Sequence, residues 1–223
     1  MKKIIMLIAA VCSFGVFAAD FNVCEFGAKA DGKTDNTFAF QSAIDACAKS
    51  GGRVVVPAAS KPYISYTLYL KSNVEFHIAD GAIVKGGPDG LKYPEFAPTP
   101  LWGWDRTPRL DKRAFFYTLA ATNVAITGKG VIDGSSEFFK MWSPARKRFW
   151  RTDDVNLPGR CLLFVRCNNV RLEDFTVLHT TGWNLWLLGC DNVNARGVTL
   201  DTDVEYPNGA TGVFITTTGE YPG

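Results

Sequence analysis

Five residues within one short stretch have the side chains to hold an acidic ligand: Arg146, Lys147, Arg148, Trp150 and Arg151, set among Phe138, Phe139, Trp142 and Phe149. Guanidinium and ammonium groups pair with carboxylates, and flat aromatic faces beside them suit sugar rings. The structural alternative is that these aromatics pin their loop to the body of the protein. Proton-transfer chemistry would need carboxylates. The adjacent pair Asp153-Asp154 lies in this same loop, and Asp201 and Asp203 stand near Asn208 further on. His77 and His179 are far apart and no Cys-x-x-Cys pair occurs, so the pattern offers no nitrogen and sulfur metal site.

The elements that must position these groups follow from a repeat. Cys167-Asn168-Asn169-Val170 is matched 23 residues later by Cys190-Asp191-Asn192-Val193, and Asn123-Val124 falls at twice that interval before Asn169-Val170. A period of this length, built of short β-branched runs, predicts an all-β solenoid: a right-handed parallel β-helix of roughly 23-residue coils. Asn192 is then expected directly over Asn169, and Asn169 two coils above Asn123. Asparagine tolerates the bent backbone of a corner, and its amides can ladder from coil to coil.

Ahead of the coils, Phe21 to Gly27 reads as a strand. Phe40, Ala43, Ile44 and Cys47 share one face of a helix capped by Thr34 or Asp35. That amphipathic helix is expected to cover the open apolar end of the first coil. Strand candidates at Tyr66 to Leu70, Val74 to Ile78 and Ala82 to Val84 are followed by two long excursions, Lys85 to Arg113 and Ser135 to Gly159. Long ordered loops tend to carry function.

The first 18 residues, a short basic start and an apolar run ending in Val16-Phe17-Ala18, read as a secretory signal peptide. This predicts a secreted or periplasmic protein with no membrane attachment after cleavage. Loss of Lys2 and Lys3 brings the 24 basic residues level with the 22 acidic ones, which gives no reason to expect nucleic acid. Five cysteines remain, so at least one is unpaired within the chain. Cys24 on the first strand and Cys47 on the helix could bridge in an oxidising compartment, which leaves the pairing open, while Cys167 and Cys190 suit stacked positions in the core.

Several segments carry a family resemblance. They are Phe21 to Thr37 with Phe26-Gly27-Ala28-Lys29-Ala30-Asp31-Gly32, Gly52-Arg53-Val54-Val55-Val56-Pro57, Gly128-Lys129-Gly130-Val131-Ile132-Asp133-Gly134, Arg160 to Val170, and Thr180-Thr181-Gly182-Trp183-Asn184-Leu185. Together they resemble the family 28 glycoside hydrolases, the polygalacturonases and their relatives. The resemblance implies cofactor-free hydrolysis of α-1,4 links in acidic plant polysaccharide (pectin, oligogalacturonate), with inversion, by a monomer. The acid and base in such a site stand about 6.5 to 9.5 Å apart.

The resemblance also implies an Asn-x-Asp motif beginning at Asn208, but Ala210 stands where the Asp is expected, and the later motifs of the family do not follow. No catalytic residue is therefore assigned, and Asn208 is retained only as a substrate-binding candidate. Residues 19–208 read as the N-terminal part of a pectinase-type domain. Residues 209–223 are rich in threonine and glycine and read as an atypical tail, the expectation being a frameshift or truncation that removes the C-terminal coils. Two rival readings remain: a Ca²⁺-dependent pectate lyase on the same scaffold, and a non-catalytic β-helix that binds acidic polysaccharide through the loop around Arg146 to Arg151.

Overall fold

The computed structural model describes residues 19–96, 113–145, 147–151, 156–201 and 213–216. After strand β1 (Ala19–Asn22) comes a single 3-10 turn, Val23–Phe26, and then helix α1 (Thr37–Ser50). The chain then winds through coils of three strands each. Coil one holds β2 (Gly52–Val56), β3 (Tyr63–Ser65) and β4 (Leu68–Leu70); coil two holds β5 (Val74–Ile78), β6 (Ile83–Gly86) and β7 (Ala114–Leu119). Coil three holds β8 (Thr122–Thr127) and β9 (Val131–Asp133), then a hairpin of β10 (Lys140–Ser143) and β11 (Arg148–Arg151), then β12 (Arg160–Val165). Coil four holds β13 (Asn168–Glu173), β14 (Thr176–Leu178) and β15 (Trp183–Leu188). Above it lie β16 (Asp191–Arg196), β17 (Thr199–Asp201) and β18 (Val213–Thr216).

Equivalent strands pair in parallel into three sheets, ordered β1-β2-β5-β8-β13-β16, β3-β6-β9-β14-β17 and β4-β7-β12-β15-β18. This is the right-handed parallel β-helix that the repeat predicts. Inward side chains at alternate positions fill the bore: Leu68, Phe76, Phe116, Ile126, Phe164, Leu172 and Val177 have no exposed surface. Helix α1 closes the first coil with Phe40, Ala43, Ile44 and Cys47, all fully buried. The Phe40 ring lies 5.9 Å from Tyr63 and 6.0 Å from Phe76.

The asparagine corner is present, with one correction to its count. Asn169 is one coil above Asn123, because β13 pairs directly with β8, and the extra residues between them are the hairpin excursion. The ladder also starts one coil earlier, at Asn73. Asn123 Nδ2 donates to Asn73 Oδ1 at 3.0 Å, Asn169 Nδ2 to Asn123 Oδ1 at 2.7 Å, and Asn192 Nδ2 to Asn168 Oδ1 at 3.0 Å. All four corner residues are left-handed, with φ of 61°, 55°, 56° and 52° at Asn73, Asn123, Asn169 and Asn192. Short polar side chains visit this region at lower cost than branched ones.

Other expectations shift locally. The first strand stops at Asn22, whose Oδ1 accepts from the Cys24 amide at 3.0 Å and turns the chain. The helix begins at Thr37 after Asn36, although the Asp35 carboxylate still accepts from the Thr37 amide at 3.1 Å. Cys24 and Cys47 do not bridge: Cys24 is exposed with its Sγ 3.6 Å from the Tyr63 hydroxyl, and Cys47 faces the core from α1. Burial pushes the Cys47 thiol up to about 11. Within the stretch set apart after Asn208, Val213–Thr216 pairs in register with β15. No helix among the described residues is long and apolar enough to cross a membrane.

The corner makes a testable demand. Replacing Asn123 with Val should lower the unfolding free energy by about 2 kcal/mol, from left-handed strain and lost ladder bonds, whereas Asn123→Gly should cost about half as much. Urea midpoints measure the difference; equal losses would show that the backbone conformation at this corner is not what matters.

Candidate functional site

Both long excursions leave the helix between the second and third sheets, 87–113 joining β6 to β7 and 134–159 joining β9 to β12. In coil four the same corner is crossed by only four residues, 179–182. Extra chain therefore leaves and rejoins the coils at one edge of the third sheet. Alternation along β12 explains what it covers. Leu162 and Phe164 belong to the core, while Leu163 and Val165 point outward into a separate apolar cluster with Ala114, Tyr117, Trp186 and Leu188.

Register stacks these outward residues. Tyr69 pairs with Tyr117, Tyr117 with Leu163, and Leu163 with Trp186, so one column runs up the outer face of the third sheet. Phe96, from the first excursion, lies flat on Tyr117 at 4.7 Å and 10°. A second column runs Ala114, Arg160, Trp183. The Arg160 guanidinium carbon is 3.7 Å from the Trp183 ring centroid and 4.5 Å from that of Trp186, and its Nη1 donates to the Gly159 carbonyl at 2.9 Å. Such a stacked, desolvated cation is worth about 2 kcal/mol. Burial raises the hydroxyl pKa of both Tyr69 and Tyr117.

Arg113 holds the two excursions together. It is buried, with Nη1 donating to the Tyr93 carbonyl, Nη2 to Asn156 Oδ1 at 2.9 Å, and Nη2 to Glu95 at 3.2 Å. Tyr93 and Glu95 belong to one excursion and Asn156 to the other. A second anchor sits at the end of the second sheet. Lys85 Nζ donates to Asp133 at 2.9 Å and to Glu137 at 2.6 Å, and His179 Nδ1 is 3.2 Å from Asp133. Burial lowers the Lys85 pKa, but its bonds to Glu137 and Asp133 outweigh that and the net shift is upward. The Ser135 hydroxyl, at the start of the excursion, donates to the Gly86 carbonyl at 2.7 Å.

The residues singled out by sequence fall unevenly. The second excursion is not irregular throughout but forms the antiparallel β10–β11 hairpin, with Trp142 opposite Phe149 and Ser143 opposite Arg148. Lys147 is exposed in its turn with φ of 52°; Arg148 and Trp150 lie on β11. Phe139 is buried and packs on Tyr93 at 6.2 Å, which is the pinning role, whereas Phe138 and Trp142 are about half exposed. Arg146, Asp153, Asp154, Asp203, Asn208 and Ala210 lie outside the described residues. Asp201 ends β17, on the second sheet. No group of three or more His, Cys, Asp or Glu residues among those described is placed to hold a metal ion. Arg113, Arg160, Tyr117 and Trp186 were not picked out as site residues by sequence; Arg160 and Trp183 were marked there only through the family resemblance.

The comparisons with known proteins agree with this architecture. Residues 21–76 match the family model described as rhamnogalacturonase A/epimerase, pectate lyase-like. An exo-poly-alpha-D-galacturonosidase of Dickeya chrysanthemi is 35% identical over 118 residues, 51% of this chain and 19% of that protein. Among solved structures, the family 28 exopolygalacturonase of Yersinia enterocolitica superposes with a TM-score of 0.66 at 27% identity, over 86% of this chain and 40% of that one. A hyperthermoactive exopolygalacturonase from Thermotoga maritima gives 0.67 at 26% identity, over 82% and 47%. The chain thus spans less than half the length of each.

Replacing Arg113 with Met should cost about 3 kcal/mol by leaving buried acceptors unpaired. It should also expose both excursions together to limited proteolysis. Cleavage confined to one of them, or an unchanged digestion pattern, would contradict the tie. In fold and sequence, the chain resembles the family 28 glycoside hydrolases, the polygalacturonases, as their N-terminal part.

Proposed function

We propose that this protein is directed at pectin and that the polysaccharide runs along the third sheet on the exposed side of the two excursions, the sheet's own outward residues being buried beneath. One observation carries the reading: Phe138 and Trp142 are about half exposed and Lys147 is exposed on the second excursion, which leaves coils that match exopolygalacturonases. Uronate rings present an apolar face and a carboxylate, and a wall of rings with nearby cations is complementary to both. Arg146, Lys147 and Arg148, consecutive in the sequence of the second excursion, supply further positive charge. By the same resemblance the lineage hydrolyses α-1,4-galacturonosidic bonds outside the cytoplasm, once residues 1–18 are removed.

We infer that the acid and base for that reaction are lacking where the resemblance places the first of them, since Ala210 stands at that position. Inverting hydrolysis needs one carboxylic acid to protonate the leaving oxygen and another carboxylate to activate water. The methyl group of Ala210 can do neither, and Asn208 can only hold or orient. We infer that this stretch of chain binds the polymer and leaves it uncut.

Mixing the protein with polygalacturonate should give salt-sensitive binding without new reducing ends. Reversing the hairpin charges with Arg146→Glu, Lys147→Glu and Arg148→Glu should weaken binding about tenfold, the equivalent of roughly 1.4 kcal/mol. Release of galacturonate by the wild-type chain would overturn the silent reading. Absence of salt-dependent binding would overturn the pectin-directed one.

A further inference from the structure

The outward column Tyr69, Tyr117, Leu163, Trp186 is closed along most of its length and open at one end. Tyr117, Leu163 and Trp186 are 6%, 2% and 3% exposed, but Tyr69 is 37% exposed. Beside Tyr69, at the end closed by α1, the surface dips into a recess of about 450 Å³ lined by Asp35, Thr37, Phe38, Gln41, Thr67 and Tyr69. Phe38 is 85% exposed, the most exposed large apolar side chain of the described residues. Its burial is not needed to close the first coil, which Phe40, Ala43, Ile44 and Cys47 accomplish from the other face of the helix.

The polar groups of the recess are held in place by the protein. Gln41 Oε1 accepts from the Tyr69 amide at 2.9 Å, and its Nε2 donates to the Tyr69 carbonyl at 3.1 Å and to Asp45 at 2.8 Å. Thr37 Oγ1 accepts from the Tyr66 amide at 2.8 Å and donates to Asp35 at 2.7 Å. Thr67 Oγ1 donates to the Ala114 carbonyl at 2.7 Å. A preformed recess of two rings and a fixed polar rim is what a sugar ring needs for binding without a large ordering cost.

Charge selects the ring. The Asp35 carboxylate faces the recess, and its cationic partner, Lys92 at 2.9 Å, is committed to it. Lys71, on the same side of α1, is likewise paired with Asp45 at 2.8 Å. The recess therefore offers an acceptor for sugar hydroxyls and, among the described residues that line or flank it, no uncommitted cation for a carboxylate. We propose that Phe38 and Tyr69, with Asp35, form a subsite for an uncharged pyranose ring, in pectin a methyl-esterified uronate, at the capped end of the third sheet. This rests on the reading that pectin lies along that sheet.

The test is calorimetric titration of the full chain with a hexagalacturonate and with its methyl-esterified counterpart, for wild type, Phe38→Ser and Tyr69→Ala. Phe38 is so exposed that its replacement leaves the packing intact, so a loss there does not reflect misfolding. The wild type should bind the esterified oligomer several-fold more tightly. Each substitution should cost that oligomer about fivefold while changing the free-acid oligomer by less than twofold. If both variants bind as wild type does, or lose both oligomers equally, the subsite is wrong and the pectin reading is untouched. If the wild type binds neither, a neutral galactan oligomer decides: capture that Phe38→Ser abolishes keeps the subsite and removes the pectin reading, and no capture removes both.

Discussion

Everything in this molecule follows from parallel strands stacked in register at about 4.8 Å per coil. That spacing allows no drift. Each coil must turn its corners at the same positions as the one below, and the left-handed residues Asn73, Asn123, Asn169 and Asn192 show how one corner is kept. Their laddered amides satisfy polar groups that a bent backbone would otherwise leave to water. A coil can lengthen only where the chain is free to leave the stack and return. Here both long excursions do so at the corner between the second and third sheets.

The third sheet consequently has apolar surface on both sides. Its inward residues fill the bore, and its outward residues form a second cluster with Phe96 and Trp183. Burying a side chain such as Leu163 or Trp186 stabilises by about 1.5 to 3 kcal/mol, so the excursions contribute to stability while they shape the face. Arg113 ties Tyr93 and Glu95 of one excursion to Asn156 of the other, and Lys85 ties Glu137 of the second to Asp133 at the end of its strand. Rigid support of this kind is what allows a binding surface to be assembled from loops.

The sequence revealed the repeat and the capping helix because both leave a periodic trace. Cys167 and Cys190, Asn169 and Asn192, and the apolar stripe Phe40, Ala43, Ile44 and Cys47 are local patterns. The count of coils failed for an arithmetic reason: the excursion inside coil three adds 23 residues between Asn123 and Asn169, as much as a whole coil. Asn73 was missed because 50 residues separate it from Asn123, which is no multiple of the period. The outward face was hidden because Arg160–Val165 is buried on both sides and reads as one apolar run, without the alternation that marks a half-exposed strand. The hairpin gave no signal, since its turn, Pro144 to Lys147, contains neither glycine nor asparagine and places Lys147 at positive φ. Contacts such as Arg160 on Trp183 join residues 23 apart whose meeting depends on the register of the finished fold.

Hydrogen exchange of the chain with and without oligogalacturonate addresses the central claim most directly. The account predicts slowed exchange in β4, β7, β12 and β15 and in the excursions beside them, with the asparagine corner and the first sheet unchanged. Protection centred instead on the groove along Asn73, Asn123, Asn169 and Arg171 would place the polysaccharide on the first sheet and its asparagine corner and contradict the account.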